Sequence, residues 1–179
     1  IITARTLNRF FDILKHNNTY RGGVFTGGCS TFNRAAGYGS KTAALPNGKL
    51  KGEPLLADSI AATPGRDTNG PTAQIKSVLR YNQVEACSGL VFQNKFEKKM
   101  FLSEKGKASF IALAKAYFAG GGQQYTVTVV SPEDLLDAKI HPENHRNLIV
   151  RVGGYSDYFI NLGDELQNNV IERTFIDMK

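Results

Sequence analysis

The chain has 179 residues, of which 41% are hydrophobic and 21% charged, and a formal charge of +6. No apolar run approaches the ~20 residues that a membrane-spanning helix needs, and no charged-then-apolar leader is visible, so neither a membrane protein nor a secreted one is expected and the location reads as cytoplasmic. Lysines and arginines interleave with acids along the chain, without a basic arm or a base-stacking motif, so nucleic acid is not an expected partner.

In chain order, Thr3 is placed to cap a first helix, with Leu7, Phe10, Phe11 and Leu14 on one face. Residues 18–74 are rich in Gly, Pro, Asn and Thr, which is long for a structureless loop inside a compact domain. They are expected to wrap over a larger body, or to pair short strands near 24–26 and 31–34 with strands outside this chain. Either way, a chain that opens on Ile1 rather than Met is expected to be a processed piece or the tail of a longer protein, not a self-sufficient globule.

From residue 74 to 80 the pattern turns helical, and 90–96 reads as a short buried strand. Ser103 opens a helix with Phe110, Leu113, Ala114 and Tyr117 on one face, and Gly120, Gly121 and Gly122 end it. Residues 125–130 are rich in β-branched side chains and predict a strand. Ser131-Pro132-Glu133-Asp134 combines an N-cap, a proline in the first turn and acids near the helix start, so a short helix should run to Ile140 and stop before Pro142. A strand over 148–152, a loop over 153–159 and a helix over about 164–173 complete the chain. There are no internal repeats.

Cys29 and Cys87 are far apart and form no CxxC, which fits a reducing interior. His16, His141 and His145 have no ligand spacing with either cysteine, and Pro142 interrupts the helix that would align His141 with His145, so no metal site is expected. Residues 121–123 could suggest a phosphate nest, but they end a helix instead of starting one, which is the wrong end for an anion.

Three patches carry the most information. The first is Ala44-Leu45-Pro46-Asn47-Gly48-Lys49, continuing to Gly52-Glu53-Pro54-Leu55-Leu56-Ala57-Asp58. The second is Gly65-Arg66-Asp67-Thr68-Asn69-Gly70-Pro71-Thr72-Ala73, followed by Lys76-Ser77-Val78. The third is Arg151-Val152-Gly153-Gly154-Tyr155-Ser156-Asp157-Tyr158-Phe159, with Gln167, Val170, Ile171, Glu172, Arg173 and Thr174 behind it. In that order they resemble the C-terminal part of the glycyl radical enzymes, over about residues 23–175. Asn47 and Lys49 stand where the family pattern has Asp and Arg, and an extra Leu precedes Ala57-Asp58.

The resemblance implies a fold: the C-terminal part of a ten-stranded α/β barrel, with 1–120 belonging to the barrel and 121–179 forming the glycyl radical domain. By itself the chain reads only as mixed α/β. The resemblance also implies that Gly154, the glycine just before the aromatic, carries a backbone radical. Arg151, Val152, Gly153 and Tyr155 would support it. An alpha-carbon radical tends to planarity, and a residue without Cβ reaches backbone conformations closed to others.

By the same resemblance, a radical S-adenosylmethionine activase with an iron–sulfur cluster removes one hydrogen from Gly154. The glycyl radical then takes a hydrogen from a cysteine thiol, whose thiyl radical attacks a small-molecule substrate. The cofactors belong to the activase, and none is expected in this chain. Neither Cys29 nor Cys87 lies in the family's cysteine loop, which is followed closely by a glutamate. The thiyl cysteine is therefore expected upstream of Ile1 or on another subunit.

Asn69 and Thr72 are candidates for the substrate end, although Asn-Gly-Pro also bends a chain without any function. The Gly-Gly-Tyr-Ser-Asp-Tyr-Phe loop is closer to the lyase and dehydratase branch than to pyruvate formate-lyase. That branch includes choline trimethylamine-lyase, diol and glycerol dehydratases and arylacetate decarboxylases. The complete enzyme is expected to be a homo-oligomer. The alternative is a stand-alone radical subunit that docks on a catalytic partner and restores it.

Overall fold

The structure, a computed structural model, describes residues 2–30, 35–46, 48–53, 59–62, 68–152 and 155–176. Helix α1 spans Ile2–Lys15. Thr3 lies inside it instead of capping it. Its apolar stripe is only partly covered, because Phe11 is buried while Phe10 and Ile13 face solvent.

The expected strand at 24–26 does not form. Val24 makes a single bridge to Asn18, closed by the Thr19 N–H on the Gly23 carbonyl at 2.8 Å. Pairing does occur nearby, but within this chain. Cys29 bridges Leu90 in parallel, with the Cys29 N–H on Gly89 O and the Ser88 N–H on Gly27 O, both at 2.8 Å. The strand proposed for 31–34 lies outside the described residues.

After α2 (Ala35–Ser40), the Leu45 N–H bonds to the Lys49 carbonyl. Lys49 itself is buried, and its ammonium donates to the carbonyls of Gly39, Thr42 and Leu50 at 3.3, 3.2 and 2.9 Å. A buried cation needs such partners, so this lysine organises the loop around it. Helix α3 spans Gly70–Val78 and starts four residues before the predicted helix. Pro71, in its first turn, tolerates the missing N–H there.

Strand β1 (Gln93–Phe96) pairs in parallel with β2 (Thr126–Val129), from Gln93 opposite Thr126 to Phe96 opposite Val129. The crossover between them is α4 (Glu104–Ala119), as a parallel pair requires. Ser103 caps α4 by accepting the Gly106 N–H at 3.0 Å. The triple glycine stops it: Gly121 has φ +93°, and a Cβ on Gly122 would lie 2.4 Å from the Tyr117 ring.

Helix α5 spans Pro132–Ile140, capped by Ser131 as its sequence predicts. A short 3-10 turn over Pro142–His145 leads to β3 (Ile149–Arg151), which pairs antiparallel with β4 (Ser156–Tyr158). The expected loop at 153–159 therefore contains a strand. Three residues are too few for a visible alternation, and β4 exists because β3 supplies its partner. Helix α6 runs Asp164–Ile176, three residues longer than predicted.

Among the described residues, two apolar clusters form. One gathers Phe11, Ile75, Tyr81, Ala86, Leu90, Phe92 and Tyr117. The other gathers Val130, Leu135, Ala138, Val150, Val152, Phe159, Leu162, Val170 and Ile171. Among the described residues, no helix is long and apolar enough to cross a membrane.

Candidate functional site

The β3–β4 hairpin holds the third sequence patch. Along β3 the side chains alternate, with Ile149 exposed, Val150 buried and Arg151 half-buried; Val152 beyond it is buried again. Val150, Val152 and Phe159 anchor the stem in the second apolar cluster. Arg151 stands opposite Ser156, and its guanidinium donates to the serine hydroxyl at 3.3 Å. Asp157 accepts the Tyr158 N–H at 2.7 Å.

Gly153 and Gly154 lie outside the described residues. The residues flanking them are joined by the Val152 N–H on the Tyr155 carbonyl at 3.0 Å. Of the supporting residues predicted from sequence, Arg151, Val152 and Tyr155 are thus brought together on one hairpin. Tyr155 and Tyr158 are exposed, and of the aromatics here only Phe159 joins the core.

Beside the hairpin, α5 carries a cluster that sequence reasoning missed. Asp137 accepts from His141 Nδ1 at 2.9 Å through one oxygen and from His145 Nε2 at 2.6 Å through the other. Pro142 separates the two histidines in sequence, but the 3-10 turn that it starts returns His145 to the same carboxylate. Hydrogen bonds from His145 and then His141 hold the Asp137 carboxyl below its usual range, and the Asp137 bond raises His141. One signal was present: Asp137 and His141 are four apart on a helix. Asp134 is lowered as well, chiefly by its contact with Lys98.

Asn69 and Thr72 are not brought to the hairpin. Asn69 precedes α3, makes no capping bond with its side chain, and lines a cavity of about 640 Å³ together with Cys29, Gln74, Tyr81 and Phe92. Thr72 is exposed and does not line it. None of the described cavity-lining residues comes from 148–159. Cys29 is half-buried, and burial pushes its thiol pKa up, so it stays protonated at neutral pH. Cys87 is exposed and donates to the Val84 carbonyl at 3.5 Å.

Known proteins match this arrangement. The family model described as "Glycine radical" matches residues 56–160. The trans-4-hydroxy-L-proline dehydratase of Clostridioides difficile is 37% identical over 137 residues, covering 76% of this chain and 17% of that protein. The indoleacetate decarboxylase of Tractidigestivibacter scatoligenes is 33% identical over 159 residues, covering 89% of this chain and 18% of its relative. A solved structure from Roseburia inulinivorans, described for 1,2-propanediol dehydration, superposes with a TM-score of 0.86 at 35% identity, over 96% of this chain and 20% of that one. The chain therefore spans about a fifth of the length of the relatives it matches, and its mixed α/β fold is a piece of their barrel. With more than half of its residues inside the matched model, the chain belongs to the glycyl radical family.

Proposed function

We propose that Gly154 carries a stable backbone radical, and that the complete protein uses it to break a C–C, C–N or C–O bond of a small molecule or to dehydrate it. The observation that carries this reading is the family match over residues 56–160, which takes in the whole hairpin. The similar dehydratase and decarboxylase favour the lyase and dehydratase branch.

Gly153 takes the variable position before the radical carrier. Val152 seats the hairpin in the apolar cluster, Arg151 ties its two strands, and Tyr155 closes the flanking backbone bond. An activating enzyme of the radical S-adenosylmethionine class, holding the iron–sulfur cluster, removes one hydrogen atom from the Gly154 alpha carbon. In turnover, the alpha carbon takes a hydrogen atom from a thiol: the C–H bond re-forms, the S–H bond breaks, and the thiyl radical attacks substrate.

That thiol lies on the rest of the barrel, because Cys29 and Cys87 both lack the glutamate that follows the family's cysteine. Asn69 reaches toward substrate through its cavity, and Thr72 has only its place on α3 in its favour. Residues 1–120 belong to the catalytic barrel and 121–179 to the radical domain, with the β1–β2 pair bridging the two. The complete enzyme is a cytoplasmic homo-oligomer.

The complete enzyme, activated without oxygen, should give the electron paramagnetic resonance doublet of a glycyl radical. Oxygen should then cut the chain at Gly154, giving a C-terminal fragment whose mass starts there. No organic radical, or a break elsewhere, rejects the assignment.

A further inference from the structure

Four polar or charged side chains are buried among the described residues: Lys49, Gln83, Asn94 and Gln167. Only Gln167 comes from the stretch that builds the hairpin and its cluster. It lies on α6, where Val170 and Ile171, one turn further on, both belong to that cluster. Its side-chain amide donates to the buried carbonyl of Phe159 at 3.0 Å.

That carbonyl already accepts the Leu162 N–H at 3.2 Å. A second donor is thus not required to satisfy it, and an apolar side chain of similar size loses only the net worth of one hydrogen bond. What the amide adds is direction, because it fixes α6 against one peptide. Phe159 in turn donates its own N–H to Leu148 O at 2.8 Å, closing the base of the hairpin. Above that base come Ile149 opposite Tyr158, Val150 opposite Asp157 and Arg151 opposite Ser156. The Val152 bond to Tyr155 closes the ladder. Register along such a ladder is shared by all its pairs, so Phe159 positions the residues that flank the two glycines.

We propose that Gln167 is a positioning residue for the radical: by locking α6 to the Phe159 carbonyl it holds the hairpin stem still and sets how long the Gly154 radical survives. This rests on Gly154 being the radical carrier. The hydrogen bond acts through the stem, and Gln167 itself takes no part in the chemistry.

The test uses the complete enzyme, activated anaerobically, as parent, Gln167→Leu and Gln167→Met. Two quantities are read: the thermal midpoint, and the glycyl spin signal followed over time. The inference expects midpoints within a few degrees of the parent's, with the radical decaying about fivefold faster in both variants, the factor that one net hydrogen bond carries. Decay at the parental rate in either folded variant overturns it. A large fall in midpoint in both variants also overturns it, since Gln167 would then be a stability residue. If the parent itself shows no glycyl doublet, the Gly154 assignment fails first, and that outcome is distinct from a parent that shows the radical and variants that keep it.

Discussion

The two apolar clusters are built differently. The one beneath the hairpin draws all its buried members from residues 130–171, a short continuous stretch with local contacts. The other spans Phe11 to Tyr117 and borders the cavity that holds Asn69 and Cys29. Exposed apolar side chains occur in both parts of the chain, among them Tyr20, Val24, Leu50 and Leu102 in the earlier part and Leu136, Ile140, Ile149 and Tyr158 in the later. The hairpin cluster is built from one short stretch of chain; the other gathers side chains from far apart in sequence and borders a cavity, in a chain that spans about a fifth of its relatives.

The largest expected effect lies in the hairpin. Gly154→Ala should remove the organic radical signal and all turnover of the complete enzyme while its thermal midpoint stays near the parent's. Retained activity would show that the hairpin does not carry the radical. Next comes the packing beneath it. Phe159 has no exposed surface, so Phe159→Ala should cost about 3–5 kcal/mol in denaturant unfolding. Leu102→Ala, outside both clusters and 83% exposed, should change stability by less than about 0.5 kcal/mol. Equal losses would show that Phe159 does not anchor the cluster beneath the hairpin.

A smaller effect separates the two clusters by pH. The cluster that spans Phe11 to Tyr117 is the one with buried phenols: the single Tyr117 O–H is shared between Gln83 Oε1 at 2.7 Å and Gln124 O at 3.0 Å. Burial pushes Tyr117 and Tyr125 up to about 12 and raises Tyr81 as well, from an ordinary value of 10.0. A raised folded value means that their contribution to stability is fully present below pH 10 and is lost as pH rises toward 12. Alkaline titration by circular dichroism should therefore melt the α3–α4 region first. Tyr117→Phe should cost about 0.5–1.5 kcal/mol at neutral pH, because Gln83 Oε1 loses one donor and keeps the Gln123 N–H at 3.4 Å, and should flatten the alkaline loss.

The smallest effect is beside the hairpin. With Asp137 lowered below 3.8 and His141 raised above 6.5, their contact contributes between those values. It weakens as pH falls through the folded Asp137 value or rises through the folded His141 value. Asp137→Asn should bring the His141 titration, followed by NMR, back toward 6.5. An unchanged titration would mean that the carboxylate does not hold the histidine.

Much of the local structure was legible. Ser103 and Ser131 cap their helices as their sequences predict, because capping depends on a side chain and an amide three residues away. Gly120–Gly122 stop α4 for equally local reasons. The Gly-Gly-Tyr patch, in order with the two upstream patches, points to the family through residues alone. The first turn of α3 is not legible from apolar spacing, because Gly70-Pro71-Thr72 carries no periodic apolar residue. Strand β4 was missed because a three-residue strand has no pattern of its own.

By itself, then, the sequence determined the helix ends at Ser103, Gly120–Gly122 and Ser131, the strand–helix–strand order from β1 to β2, and the family to which the glycine-bearing patch belongs. Each of these rests on residues close in the chain or on motifs kept in order. Tertiary structure alone decided that Cys29 and Asn69 share a cavity, that Lys49 is buried on three carbonyls, that one carboxylate holds His141 and His145, and that Gln167 reaches Phe159. Those depend on which distant groups meet once apolar surface is removed from water, and no spacing within the chain specifies that meeting.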